Sequence, residues 1–119
     1  MQQKMIEGIR LFNSQRYFEA HEALESVWLE ASGDRKTVLQ GLIQVAAAFH
    51  HRARGNRAGF RLLLVKGCSK LAGSGVEFEG IDLDVLRGQL QSWQEHLLSS
   101  CLPAPPLPLM KCRSKPQHF

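Results

Sequence analysis

Tyr17-Phe18-Glu19-Ala20-His21-Glu22-Ala23-Leu24-Glu25-Ser26-Val27-Trp28 is the stretch whose reading decides the fold. At about 100° per residue, Tyr17, Ala20, Leu24, Val27, Trp28 and Ala31 fall on one apolar stripe, so the spacing predicts a helix over 17–31. His21 and Glu25 stand at the edge of that stripe, one turn apart, and Glu22 points further away.

The next residues supply a partner helix. Gly33 reads as a stop and Asp34 as the N-cap of a third helix over about 35–54. From Thr37 to His51, fifteen positions pass without a formally charged residue. Leu42, Ala46, Phe49 and Ala53 form one face, flanked by Val38, Leu39, Ile43 and Val45. The opposite face is Gln40, Gln44, Ala47 and His51. A solvated face carries Lys or Glu, and this one carries none, so the helix is read as largely surrounded by protein. A buried amide or imidazole left unsatisfied costs about 1–3 kcal/mol. The second helix offers His21, Glu22 and Glu25 as partners.

Outward from this pair, Met5, Ile6, Ile9 and Phe12 mark an amphipathic first helix over 2–13, and the short break Asn13-Ser14-Gln15 makes it an antiparallel neighbour. Gly55 caps the third helix and Asn56 serves as a turn residue or the next N-cap. A fourth helix over about 57–72 carries Phe60, Leu63, Leu64, Cys68 and Leu71 on its core side. Gly59 and Gly67 are costly inside a helix, and close helix–helix approach would explain them. Residues 73–80 read as a loop, and Asp82 caps a fifth helix with Leu83, Leu86, Leu90, Trp93 and Leu97 as its docking stripe. From Leu102 the run Pro103-Ala104-Pro105-Pro106-Leu107-Pro108 changes the composition to an extended polyproline segment with basic residues at its end. The expected architecture is all-α: a compact bundle of about five helices forming one domain over 1–100, with a Pro-rich, basic tail over 101–119 that is extended or disordered. No internal repeat emerges. Tyr17-x-x-Ala20 resembles part of a tetratricopeptide hairpin, but 34 residues later stand His51 and Arg54.

Composition narrows the classes. With 119 residues and 44% apolar content the chain supports one core. No run of 18 apolar residues is present, and the N-terminus lacks the apolar core of a signal peptide, so neither membrane nor export is expected. Three cysteines without a CxxC pair point to a reduced, cytoplasmic compartment, with Cys68 as a core residue and Cys101 and Cys112 as incidental thiols. The net charge of +4 is unevenly spread: residues 1–34 hold six acids and three bases, 35–70 eight bases and no acid, and 71–119 five acids and four bases. Neutralisation inside the molecule accounts for this pattern. Anion or nucleic-acid binding through residues 35–70 is the sharper alternative, but the bases are not interleaved with aromatics as on a single-strand platform. Arg52, Arg54, Arg57 and Arg61 are placed at a helix C-terminus and beyond, where cations are favoured. His96 reads as a surface residue and His118 as a tail residue.

With those residues quoted, the chain resembles the small helical family called domain of unknown function 309. The resemblance rests on Phe12-Asn13, on Tyr17-Phe18-Glu19-Ala20-His21-Glu22-x-x-Glu25-x-x-Trp28, on Gln40-Gly41-Leu42-Ile43-Gln44, and on Ala47, His51 and Gly55-Asn56-x-x-Gly59. It covers about residues 5–72. His51 matches the family's histidine four before the glycine, and His50 stands where an aromatic is commoner. The resemblance implies a helical bundle in a bacterial or archaeal cytoplasm and brings no activity with it.

Three readings of the polar cluster remain open. His21-Glu22-x-x-Glu25 is half a zincin motif with a glutamate in place of the second histidine, so His21, Glu25 and His51 are the metal candidates. The same residues could instead be a buried network that fixes the register of two helices. The third reading is a metal-free pocket for a small polar ligand or a partner, using His21, Glu22, Glu25, Trp28, Gln40, Gln44 and His51, with Phe18 and Trp28 as walls and Ala47 leaving room. A carboxylate beside His21 or His51 would also suit a general base, which makes a hydrolase-like enzyme the alternative and His21, Glu25 and His51 its catalytic candidates. No serine or cysteine adjoins His21 or His51, so nucleophilic catalysis has no local support. The favoured class is a non-enzymatic ligand- or partner-binding domain with no firmly expected cofactor; oligomeric state and the role of the tail do not follow from the sequence.

Overall fold

The computed structural model describes residues 2–99 and 101–113. Five helices run in sequence: α1 Gln3–Asn13, α2 Tyr17–Trp28, α3 Gly33–Ala53, α4 Arg57–Leu71 and α5 Leu83–Leu98. Successive helices are antiparallel. Phe12 at the end of α1 meets Tyr17 at the start of α2, with ring centroids 5.3 Å apart. Tyr17 in turn meets Phe49 at the end of α3 (5.8 Å), and Lys36 near the start of α3 lies 4.2 Å from the ring of Trp28 at the end of α2. Phe49 also packs on Phe60 near the start of α4 (5.1 Å) and on Trp93 late in α5 (5.4 Å), so one aromatic row ties α1 to α5.

Helix α3 is the centre of the bundle. Its buried residues, Val38, Leu39, Gly41, Leu42, Val45, Ala46, Ala48 and Phe49, spread around more than one face, as its uncharged sequence requires. Where α3 crosses α4 the backbones approach closely. A Cβ on Gly67 would stand 2.8 Å from Val45 Cγ2 and 3.1 Å from the carbonyl oxygen of Gly41, and a Cβ on Gly41 would meet Leu71 at 2.9 Å. Only glycine fits this crossing, which is the approach expected for Gly67.

Three boundaries differ from the sequence reading. Helix α2 ends at Trp28, three residues early, although Ala31 is still buried in the turn that follows. Helix α3 begins at Gly33 with Ser32 at the N-cap, which puts Asp34 inside its first turn. The segment read as a loop holds a short hairpin: β1 (Glu77–Phe78) pairs antiparallel with β2 (Ile81–Asp82), with Phe78 opposite Ile81. Its two-residue turn, Glu79-Gly80, has positive φ at both positions (48° and 87°), the backbone twist that fits a right-handed strand pair. Asp82 then caps α5 as expected, its Oδ1 accepting the Val85 N–H at 3.0 Å.

The proline-rich segment is extended and lies along the bundle. Trp93 Nε1 donates to the Pro106 carbonyl (3.0 Å). The Asn13 side chain grips Met110 at both backbone groups, donating to its carbonyl (3.0 Å) and accepting its N–H (2.7 Å). Met110 is 1% exposed. Beyond it, Cys112 bridges to Ile81. Lys115 and His118 lie outside the described residues. Among the described residues no helix is long and apolar enough to cross a membrane.

Candidate functional site

The antiparallel pairing of α2 and α3 decides which predicted site residues meet. His21 Nε2 lies 3.4 Å from Glu25 Oε2, one turn along the same helix, an ion-pair distance when the imidazole is protonated. His21 packs its ring along Phe18 (6.1 Å, near-parallel), and Phe18 also touches His50 of α3 (5.3 Å). His50 in turn lies 5.9 Å from His51. The result is an aromatic and imidazole cluster at the end where α2 begins and α3 finishes. Its Phe18 is half-exposed (50%) and spread over the two histidines.

Glu25 and His51 are not brought together. His51 sits beside the first turn of α2, as the neighbouring contacts Tyr17–Phe49 and Phe18–His50 fix. Glu25 is eight residues further along α2, about 12 Å up the helix axis. The partner of His51 is Asn56, whose Nδ2 is 3.0 Å from His51 Nδ1. The same asparagine accepts the Gly59 N–H at Oδ1 (2.9 Å) and so caps α4. A backbone N–H can only donate, so Oδ1 is fixed as the acceptor and Nδ2 as the donor. His51 Nδ1 must therefore be unprotonated, and the neutral ring carries its hydrogen on Nε2. The His51…Asn56-x-x-Gly59 signature is thus a clamp across the α3–α4 turn.

Glu22 turns the other way. It lines a shallow hollow of about 390 Å³ between α1 and α2, beside Lys4, Glu7, Arg16 and Glu19, and does not face α3. Among the described residues no three His, Cys, Asp or Glu side chains come together as a metal-binding group; Glu25 lies a further turn up α2 than His21, away from His51.

Four buried polar atoms have no hydrogen-bond partner among the described residues: Tyr17 OH, His21 Nδ1, Trp28 Nε1 and Gln44 Oε1. Three belong to one stripe of α2, since Tyr17, His21 and Trp28 lie within about 40° of each other around the helix. The fourth, Gln44, is on α3, where it and Gln40 one turn before it are both half-buried. Burial raises the Tyr17 phenol above its ordinary range, with the Arg52 cation pulling the other way. His50 is held below the usual imidazole value by burial first and then by Arg54, His51 and His21. Tyr17 and His50 are the members that sequence reasoning missed. Tyr17 reads from the sequence as a core residue and is one, 5% exposed, and the Phe18–His50 contact becomes visible only once the two helices are in register.

The family described as Domain of unknown function (DUF309) matches residues 5–63. The chain belongs to this family. The DUF309 match takes in α1, α2, α3 and the first half of α4, hence every residue of the α2–α3 face and the Asn56 clamp, and stops short of α5. The chain is also 37% identical over 84 residues to the uncharacterized protein YpuF of Bacillus subtilis (strain 168). That alignment takes in 68% of this chain and 48% of YpuF, so the chain spans about half the length of this relative.

Proposed function

We infer that this DUF309 protein is a binding domain whose α2–α3 face receives a small polar ligand. The observation behind this reading is the set of unpartnered buried atoms on these two helices, above all His21 Nδ1 on α2 and Gln44 Oε1 on α3. A network kept only to hold two helices in register would satisfy its members, because a half-satisfied one is worse than an apolar seam. A ligand offering one donor and one acceptor would complete the amide oxygen and the imidazole nitrogen, entering as the half-exposed Phe18 ring swings aside.

Replacing Gln44 with leucine tests the reading. Leucine keeps the bulk and deletes the orphaned oxygen, so unfolding in urea should show the variant more stable by about 1–3 kcal/mol. A loss of stability would mean that the amide is satisfied in the folded protein, and the face would then be a structural seam. The hydrolase-like alternative has one observation in its favour, the His21–Glu25 approach at 3.4 Å, which would orient the ring as a base.

A further inference from the structure

A second feature lies away from the α2–α3 face, where α3 ends, α4 begins and the last turns of α5 pass. A cleft of about 690 Å³ opens there, lined chiefly by Arg52, Arg57, Arg61, Phe60, Trp93 and His96. No acidic residue lines it. Among the described residues Arg52, Arg57 and Arg61 form no ion pair, nor do Arg10 and Arg54 outside the cleft, whereas the guanidinium groups of Arg16, Arg35, Arg87 and Arg113 do.

Helix electrostatics explain only one of the three. Arg52 sits in the last turn of α3, where a cation is favoured, and its guanidinium carbon lies 4.6 Å from the centroid of Trp93. Arg57 sits in the first turn of α4, the end at which the helix repels cations, with no acid in that turn, and Arg61 sits in the second turn, where the dipole offers a cation nothing. The assignment of all four arginines to a favourable helix end therefore fails for Arg57 and Arg61. Three cations facing one hollow also repel each other. The arrangement gains its compensation when an anion enters.

His96 adds a fourth polar group. Its Nδ1 is 2.9 Å from the Leu102 carbonyl, and since a carbonyl only accepts, Nδ1 carries the proton and Nε2 is left uncommitted. His96 is half-buried against Trp93 (5.7 Å) and forms part of the cleft wall.

We propose that this cleft is a binding site for a small organic phosphate, held by Arg52, Arg57 and Arg61. A carboxylate is matched by one guanidinium fork; three forks match a group with three acceptor oxygens and two charges. The volume falls within the roughly 300–1,000 Å³ of small-ligand pockets, with room for an organic portion beside Leu97. Phe60 and Trp93 are 4% and 1% exposed, too deeply set to act as platforms for stacked bases, which favours a compact ligand over a nucleic-acid strand.

Titration calorimetry on the full chain tests the site, with ribose 5-phosphate as the probe, ribose as its neutral control and inorganic phosphate as competitor. Ribose 5-phosphate should bind, ribose should not, and inorganic phosphate should displace the sugar phosphate. Affinity should drop by at least about tenfold in the double variant Arg57→Ala, Arg61→Ala and recover only in part with lysine at both positions. Both arginines are exposed, so the alanine variant should unfold at or above the wild-type midpoint; if it does not fold, Arg57→Gln alone carries the same measurement. Binding should survive Gln44→Leu, which separates this site from the α2–α3 face. No heat at millimolar ribose 5-phosphate, or an affinity indifferent to the arginines, would overturn the assignment. So would a DNA duplex binding more tightly than the sugar phosphate with a steep salt dependence.

Discussion

Asn56 is asked to do two things with one side chain: its oxygen closes the first turn of α4 and its nitrogen holds His51 at Nδ1. Asn56→Ala removes both, and urea unfolding should register a loss of about 1–2 kcal/mol. Asn56→Asp keeps the cap but cannot donate to a neutral imidazole, so urea unfolding should show it retaining much of the stability that Asn56→Ala loses. His50 gives the pH dependence. Its folded pKa lies below the ordinary 6.5, so the unfolded chain takes up the proton more readily. Its contribution to stability is intact above about pH 6.5 and is lost as the pH falls toward the folded value. Stability should therefore decline on acidification through that window, and His50→Phe should flatten the decline; an unchanged slope would place its origin elsewhere. Cys68 is half-buried, and burial pushes its thiol up to about 11, so it should resist alkylation at neutral pH while the exposed Cys101 and Cys112 react.

Among the elements, the α3–α4 crossing is the most constrained. Gly67→Ala places a methyl group against Val45 and the Gly41 carbonyl, and the backbone cannot move aside as a flexible side chain would. A cost of about 1–3 kcal/mol is expected, measured as a fall in the denaturation midpoint with an unchanged slope. The helices themselves were legible because apolar residues recur at their period, and because Asn56, Asp82 and Gly55 announce their ends. The Gly67 approach was legible too, since glycine inside a helix demands a reason. The hairpin was not. Its turn is Glu79-Gly80 instead of the usual Asn-Gly or Asp-Gly, and each strand is only two residues long, so no alternation could be seen. Within the site, the His21–Glu25 pair was legible from its spacing of four, while contacts across helices were not. Spacing fixes angles around one axis but not the register between two, and the expected meeting of Glu25 with His51 failed on that count.

Over the whole molecule, the antiparallel order of the helices sets which distant residues share a site. Folding α4 and α5 back across α3 brings Trp93 and His96 to arginines more than thirty positions earlier. Only the arginines could be noticed as a run; their aromatic and imidazole companions carry no signal in the one-dimensional string. The family match stops at residue 63, before that second wall, which marks the α5 half of the cleft as the part to compare first among relatives. Met110 shows how much of the packing comes from beyond α5. Met110→Ala should destabilise the protein by about 2–5 kcal/mol, a core-sized effect from a residue in an extended segment.

The bond from the Trp93 indole to the Pro106 carbonyl gives this packing a built-in optical reporter. The chain has two tryptophans, and Trp28 sits at the other end of the bundle under Lys36. Peeling the last segment away would wet only one indole, so a red shift in emission that arrives before the helical signal is lost would reveal the strap lifting first.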